Sequence, residues 1–219
     1  MASPRNNKDE RPPPRLYLAA PAAADIAALK LELLAAVDSA EIAAVLLRLP
    51  HDDDRALTNR VKALAPAVQN FGTALILDGH PGIVARGGAD GAHLTGIAAF
   101  QDAAGSLKPD RIAGCGGLTT RHDAMLAAEG GADYVMFGEP DESGFRPALD
   151  AILERVSWWA EVFEAPCVAY AANADEIAPL AQAGADFVAV GDFIFSDPRG
   201  IARAVSDAAE RLRLPEVAA

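Results

Sequence analysis

Gly131-Ala132-Asp133-Tyr134-Val135-Met136-Phe137-Gly138 carries the reading that decides the fold. It follows the amphipathic segment Arg121–Glu129, so it stands where a helix stops and a strand begins. Glycine adopts the left-handed backbone that ends a helix, aspartate turns the chain, and Tyr134–Phe137 is an unbroken apolar run. Such a run suits a strand buried on both faces of a parallel sheet. The same triplet recurs as Gly88-Ala89-Asp90 before Ala92-His93-Leu94, and as Gly184-Ala185-Asp186 before Phe187-Val188-Ala189-Val190. Three copies in one slot mark a repeated helix-to-strand unit.

Outward from these stretches, strand-like runs fall at Leu16–Ala19, Ala44–Leu47, Ala74–Leu77, Ala92–Leu94, Arg111–Gly114, Tyr134–Phe137, Cys167–Ala169 and Phe187–Val190. Between them lie Ala- and Leu-rich helical patterns such as Asp25–Asp38, Arg55–Val68, Arg146–Trp159 and Asp175–Ala183. Alternation without a long structureless insert predicts a single closed (β/α)8 TIM barrel. The barrel is expected over residues 15–213, after a disordered proline-rich tail at 1–14 and before a short C-terminal tail at 214–219. Ser196-Asp197-Pro198 predicts the start of the last helix, with a cap followed by proline in the first turn.

The 219 residues fit one domain, and 51% hydrophobic content supplies a large core. A net charge of −12 repels nucleic acid and anionic membrane surfaces, so neither is expected as a partner. It also opposes phosphate ligands unless basic groups gather locally. Cys115 and Cys167 sit in apolar runs and suggest neither a disulfide framework nor a metal site. No apolar stretch approaches the roughly 20 residues that span a bilayer. No signal-peptide core is legible at the N-terminus, and a cytoplasmic protein is expected. Trp158-Trp159 predicts one indole packed inward and one available to a homodimer contact.

In such barrels the chemistry lies at the C-terminal ends of the strands. Here those ends fall at Arg48–His51, Asp78–His80, Thr95–Ala98, Gly116–Thr120, Gly138–Arg146, Ala171–Asn173 and Gly191–Phe193. Arginine in such a loop suits an anion, because its planar fork donates paired hydrogen bonds. A cluster of His51, Asp78, His80 and His93 would suit a transition metal, although no tight spacing links them. Cys115, ahead of Gly116-Gly117, reads as a buried structural thiol rather than a nucleophile.

With Arg15-Leu16-Tyr17-Leu18, Gly88–Leu94, Gly131–Gly138 and Gly184–Val190 on the page, the chain resembles thiamine phosphate synthases and the related thiazole tautomerases. The likeness runs from about Arg15 to Arg211. It implies joining of a hydroxymethylpyrimidine diphosphate to a thiazole phosphate, with Mg²⁺ on the leaving pyrophosphate. The family's Gln-x-Arg-x-Lys pattern after the second strand is matched by Leu46-Leu47-Arg48-Leu49-Pro50, which keeps only the arginine. Its Asn-Asp pair is matched by Asp78-Gly79, and its later metal aspartate by Ala98, so both matched metal positions lack a carboxylate. Asp78, Glu139 and Asp141 are the carboxylates that remain nearby. The phosphate-gripping Thr-x-Thr-Lys stretch is matched by Ser143, Phe145 and Arg146. A Gly-Gly pair that approaches phosphate becomes Ala171-Ala172, and a Val-Ser pair becomes Gly191-Asp192. The tautomerase histidine falls on Thr119, with His122 nearby.

The resemblance therefore assigns catalysis to Arg48 and Asp78. It assigns substrate binding to those two with Thr119, Arg146, Ala171, Ala172 and Asp192. A phosphate beside Asp192 would meet like charge. Two further readings stay open at this point. One is a non-catalytic barrel that binds a metabolite or a protein partner, a pseudoenzyme in effect. The other is a different small-molecule enzyme using Asp78, His80 and Thr119.

Overall fold

A computed structural model describes residues 12–141 and 143–213. The expected tails lie outside the described residues except for Pro12–Pro14, which carry no regular structure. Eight parallel strands close on themselves in chain order: β1 Arg15–Ala20, β2 Ile42–Leu47, β3 Ala74–Asp78, β4 Gly91–Thr95, β5 Ile112–Gly116, β6 Tyr134–Phe137, β7 Cys167–Tyr170 and β8 Phe187–Val190. The expected (β/α)8 barrel is the observed fold. Closure runs through β1 and β8, where Arg15 to Leu18 pair with Phe187 to Val190.

Outside the strands lie α1 Ile26–Ser39, α2 Asp54–Gln69, α3 Val84–Gly87, α4 Ile97–Leu107, α5 Arg121–Glu129, α6 Leu149–Val162, α7 Ile177–Gln182, α8 Asp192–Phe195 and α9 Ile201–Leu212. Among the described residues no helix is long and apolar enough to cross a membrane. The strands' outward side chains and the helices form one core, with Leu33, Val61, Leu75 and Phe100 fully shielded. Their inward side chains form another, in which Tyr17, Leu46, Ile76, Tyr134, Met136 and Tyr170 fill the barrel. The period-2 alternation of a strand divides these two cores.

Each Gly-Ala-Asp triplet performs the same task. Gly88, Gly131 and Gly184 take φ of 78°, 84° and 101°, a region that a Cβ would strain. Each aspartate then bonds one residue of the preceding strand in both directions. Asp90, Asp133 and Asp186 accept at Oδ2 from the backbone N–H of Leu75, Ala113 and Cys167, at 2.7, 2.7 and 2.8 Å. Their own N–H groups donate to the carbonyls of the same three residues. The motif therefore ties β4 to β3, β6 to β5 and β8 to β7 at the N-terminal end of the strands. Asp186→Ala leaves the Cys167 amide without this acceptor and is expected to cost about 1–3 kcal/mol. Thermal denaturation should register a fall of several degrees, and a smaller one for Asp186→Asn, which keeps an acceptor.

Two expected helix starts move by three residues or more. The last helix begins at Ile201 after Gly200, not at Ser196–Pro198. Asp197 spends its carboxylate on the Arg199 amide and guanidinium, and Gly200 at φ 91° closes that turn before the helix can start. Helix α6 begins at Leu149 rather than Arg146, because Pro147 disfavours a helical residue before it. Of the tryptophans, Trp159 is buried and donates its indole N–H to the Ala165 carbonyl at 2.7 Å. Trp158 is half-buried beneath the Arg121 guanidinium, 4.7 Å from the ring centre.

Candidate active site

The C-terminal mouth of the barrel gathers two sets of polar side chains. The first is centred on Arg48, which follows β2. Its Nε lies 3.5 Å from Asp78 Oδ2 at the end of β3, and its Nη1 lies 3.8 Å from Asp192 Oδ1 at the start of α8. Both separations are longer than a formed hydrogen bond, and the Arg48 side chain remains 30% exposed. Tyr170, on β7, stands beside this group. Burial pushes its hydroxyl up, Asp192 adds to the shift and Arg48 opposes it.

The second set passes through the barrel interior. Tyr17 on β1 hydrogen-bonds Tyr134 on β6 at 2.8 Å, and the Tyr134 hydroxyl meets His93 Nδ1 on β4 at 3.0 Å. Desolvation holds the His93 imidazole down at about 4, so it is neutral at pH 7; Asp78 opposes that shift and Arg48 reinforces it. The far side of the imidazole faces Glu139, just after β6. A Cβ built on Gly116 would lie 2.5 Å from His93 Nε2 and would overlap Glu139 Oε1, so a glycine there makes room for both. The Gly117 N–H donates to Glu139 Oε1. Burial pushes the Glu139 carboxyl up to about 7, against hydrogen bonds from the Gly117 and Glu139 amides, with Asp78 adding and Arg155 opposing. Arg155 on α6 fixes the loop that presents Gly117 by donating to the carbonyls of Leu118 and Thr119 at 2.7 and 3.1 Å.

Arg146, Ala171 and Ala172 are bound into the scaffold. Arg146 donates to the Gly138 carbonyl, to both Glu176 carboxylate oxygens and to the Tyr170 carbonyl, each at 3.0 Å. The Ala172 N–H donates to Glu176 Oε2 at 2.8 Å, and the Ala171 N–H to the Ala189 carbonyl at the same distance. Thr119 Oγ1 lies 3.4 Å from Asp123 Oδ2 at the start of α5, in an exposed position. His80 is exposed with φ 37°. Asp78 and Thr119 have different partners, Arg48 and Asp123. The His51–Asp78–His80–His93 cluster does not form: His93 is inside the barrel, whereas His51 and His80 are exposed. Burial, with Glu139 and Asp123, pushes the Cys115 thiol up to about 12, as fits a structural residue.

The carboxylates nearest the family's metal positions have other partners. Positions 79 and 98 are glycine and alanine, Asp78 faces Arg48, and Asp141 Oδ1 is spent on the amides of Ser143 and Phe145. Among the described residues no three His, Cys, Asp or Glu side chains converge, although Mg²⁺ on a diphosphate needs only one or two carboxylates beside substrate oxygens and water.

Glu139 is what sequence reasoning missed as a proton-bearing group. In the sequence it reads as one more carboxylate near a strand end. Only Gly116, a residue without a side chain opposite it, pointed to a space that another group must fill.

Comparison with known proteins places this mouth in context. The sequence profile described as thiamine monophosphate synthase matches residues 16–194. A thiamine-phosphate synthase of Rhodospirillum centenum is 41% identical over 196 residues, covering 88% of this chain and 95% of the relative. One of Hyphomonas neptunium is 34% identical over 208 residues, covering 89% and 92%. Among solved structures, a thiamine phosphate pyrophosphorylase of Pyrococcus furiosus superposes with a TM-score of 0.74 at 17% identity, over 90% of this chain and 95% of that one. An orotidine 5'-phosphate decarboxylase of Pyrococcus horikoshii superposes with a TM-score of 0.67 at 15% identity, over 91% and 100%. At these identities the two superpositions speak for the barrel alone.

Proposed function

This chain belongs to the thiamine monophosphate synthase family, and on that premise we propose that it joins a hydroxymethylpyrimidine diphosphate to a thiazole phosphate in the cytoplasm. The observation that supports this reading is Arg48, a partly exposed guanidinium at the barrel mouth, held by long ion pairs to Asp78 and Asp192. In the proposed step the bond from the pyrimidine methylene to the diphosphate oxygen breaks, and the diphosphate leaves with the electron pair. Arg48 takes up the charge that develops on that oxygen, and Asp78 keeps the guanidinium in place. The thiazole nitrogen then forms the new C–N bond to the methylene cation. Preorganised charge at the leaving group is the principal catalytic contribution. Leu46, Pro50, Gly79 and Ala98 stand where the family carries further polar groups, so turnover is expected to be slow.

The test supplies both precursors, with and without Mg²⁺, and follows thiamine phosphate by chromatography. Product formation supports the reading. Binding of a precursor in calorimetry without product favours a non-catalytic barrel, and neither product nor binding removes the function altogether.

A further inference from the structure

The mouth contains a carboxyl that the step above leaves unused. We infer that Glu139 is the general acid of the site, delivering its proton to the diphosphate oxygen as the bond to the pyrimidine methylene breaks. The inference rests on the proposed reaction and adds a proton-transfer group that the family resemblance did not assign.

Geometry carries it first. Glu139 follows β6 directly, is half-buried, and places its carboxyl against Gly116 and Gly117 at the end of β5. Gly116 opens the space beside it, since a Cβ there would clash with the carboxyl, and Gly117 donates its N–H to Oε1. The arrangement fixes the carboxyl from β5 and from the β5–α5 loop, which Arg155 in turn clamps. A carboxyl held in this way needs little reorganisation to act.

The neighbours then decide its protonation. Asp78 on β3 opposes ionisation, and Arg155 on α6 favours it. His93 on β4 is neutral and supplies no compensating cation, and Cys115 on β5 keeps its proton and adds no further anion. The hydroxyls of Tyr17 and Tyr134 are likewise held up by burial and remain neutral. Desolvation dominates, and a carboxyl near 7 retains its proton in a large fraction of molecules at neutral pH. That is the property a donor requires and an ordinary surface glutamate lacks.

His93 is the positioning residue. One ring nitrogen is engaged by Tyr134, itself bonded to Tyr17, and the other faces Glu139. The Tyr17–Tyr134–His93 chain therefore fixes the imidazole plane against which the carboxyl rests. After the step the bond to carbon is broken, the diphosphate carries the proton, and Glu139 is a carboxylate that takes a proton back from water once products leave.

Initial rates of thiamine phosphate formation between about pH 5.5 and 9 test this directly. The wild-type protein should lose rate as pH rises through about 7, as the acid ionises. Glu139→Gln should be slower by about a hundredfold at pH 6 and lose that limb, whereas Glu139→Asp should keep a limb. Turnover and pH limb both unchanged in Glu139→Gln would overturn the assignment while leaving the proposed function standing. No product from the wild-type protein at any pH would overturn that function, and the assignment with it. Should the Gln variant fail to fold, ¹³C NMR of glutamate-labelled wild-type protein gives an independent readout. One carboxyl titrating near 7 is expected, and all carboxyls titrating in the ordinary range would sink the proposal.

Discussion

Arg48→Ala is expected to lower the rate of thiamine phosphate formation by about a thousandfold, equivalent to about 4 kcal/mol of lost transition-state stabilisation. The size follows from what the guanidinium is doing when no ligand is present. It lies 3.5 Å from Asp78 and 3.8 Å from Asp192, near two carboxylates and in a tight hydrogen bond with neither. A diphosphate can therefore recruit it by loosening two long ion pairs and its contact with the Tyr170 hydroxyl. Removing it leaves a developing negative charge facing Asp78 and Asp192. Arg48→Lys keeps the charge but loses the planar fork, and an intermediate rate is expected. Asp192→Asn should act in the opposite sense, lowering KM for the diphosphate a few-fold at most, since the Asp192 side chain is 78% exposed and well screened. Steady-state kinetics on the three variants provides the check. Thermal midpoints supply the control, because partly exposed pairs of this length add little stability and Arg48→Ala should melt close to the wild-type protein. Unchanged kcat and KM in Arg48→Ala would remove the anion site from this mouth.

How far this was legible in the sequence depends on the range over which each feature is encoded. The Gly-Ala-Asp triplets are local: a glycine with positive φ and an aspartate that bonds a backbone amide need only a few residues to define them. Arg48 was legible for the same reason, as an arginine directly after a buried strand. Asp197 shows where local reading fails, since a cap and a clamp on Arg199 use the same residue types, and only the conformation of Gly200 separates them. Glu139 was out of reach because its protonation depends on burial beside β4 and β5, whose residues lie more than 20 positions away. Arg146 is the sharpest case. As a basic residue in a loop matched to a phosphate grip it reads as a ligand group, and its actual partner, Glu176, lies in the next βα loop.

That partnership makes Arg146→Ala a test of stability more than of substrate binding. Arg146 and Glu176 are only 18% and 12% exposed, and the carboxylate also receives the amide of Ala172 and, at 3.3 Å, the side chain of Asn173. Truncating the arginine strands a mostly buried carboxylate and also frees the carbonyls of Gly138 and Tyr170 from their donor. A loss of about 3–5 kcal/mol is expected, a fall in thermal midpoint of roughly 10 °C for a domain of this size. Removing both charges together should cost less than the two single changes combined, because no orphaned ion remains; a double-mutant cycle on Arg146→Met and Glu176→Leu measures this coupling. Saturating thiazole phosphate should raise the midpoints of wild-type protein and Arg146→Met by the same amount if the arginine serves the scaffold alone. If Arg146→Ala instead melts with the wild-type protein and raises KM for the thiazole phosphate by tenfold or more, the residue holds substrate. Glu176 would then have to release the guanidinium whenever the phosphate binds, and Glu176→Gln would tighten that binding. With Glu176 as a permanent partner, the same change should instead lower the midpoint and leave the phosphate's affinity where it was.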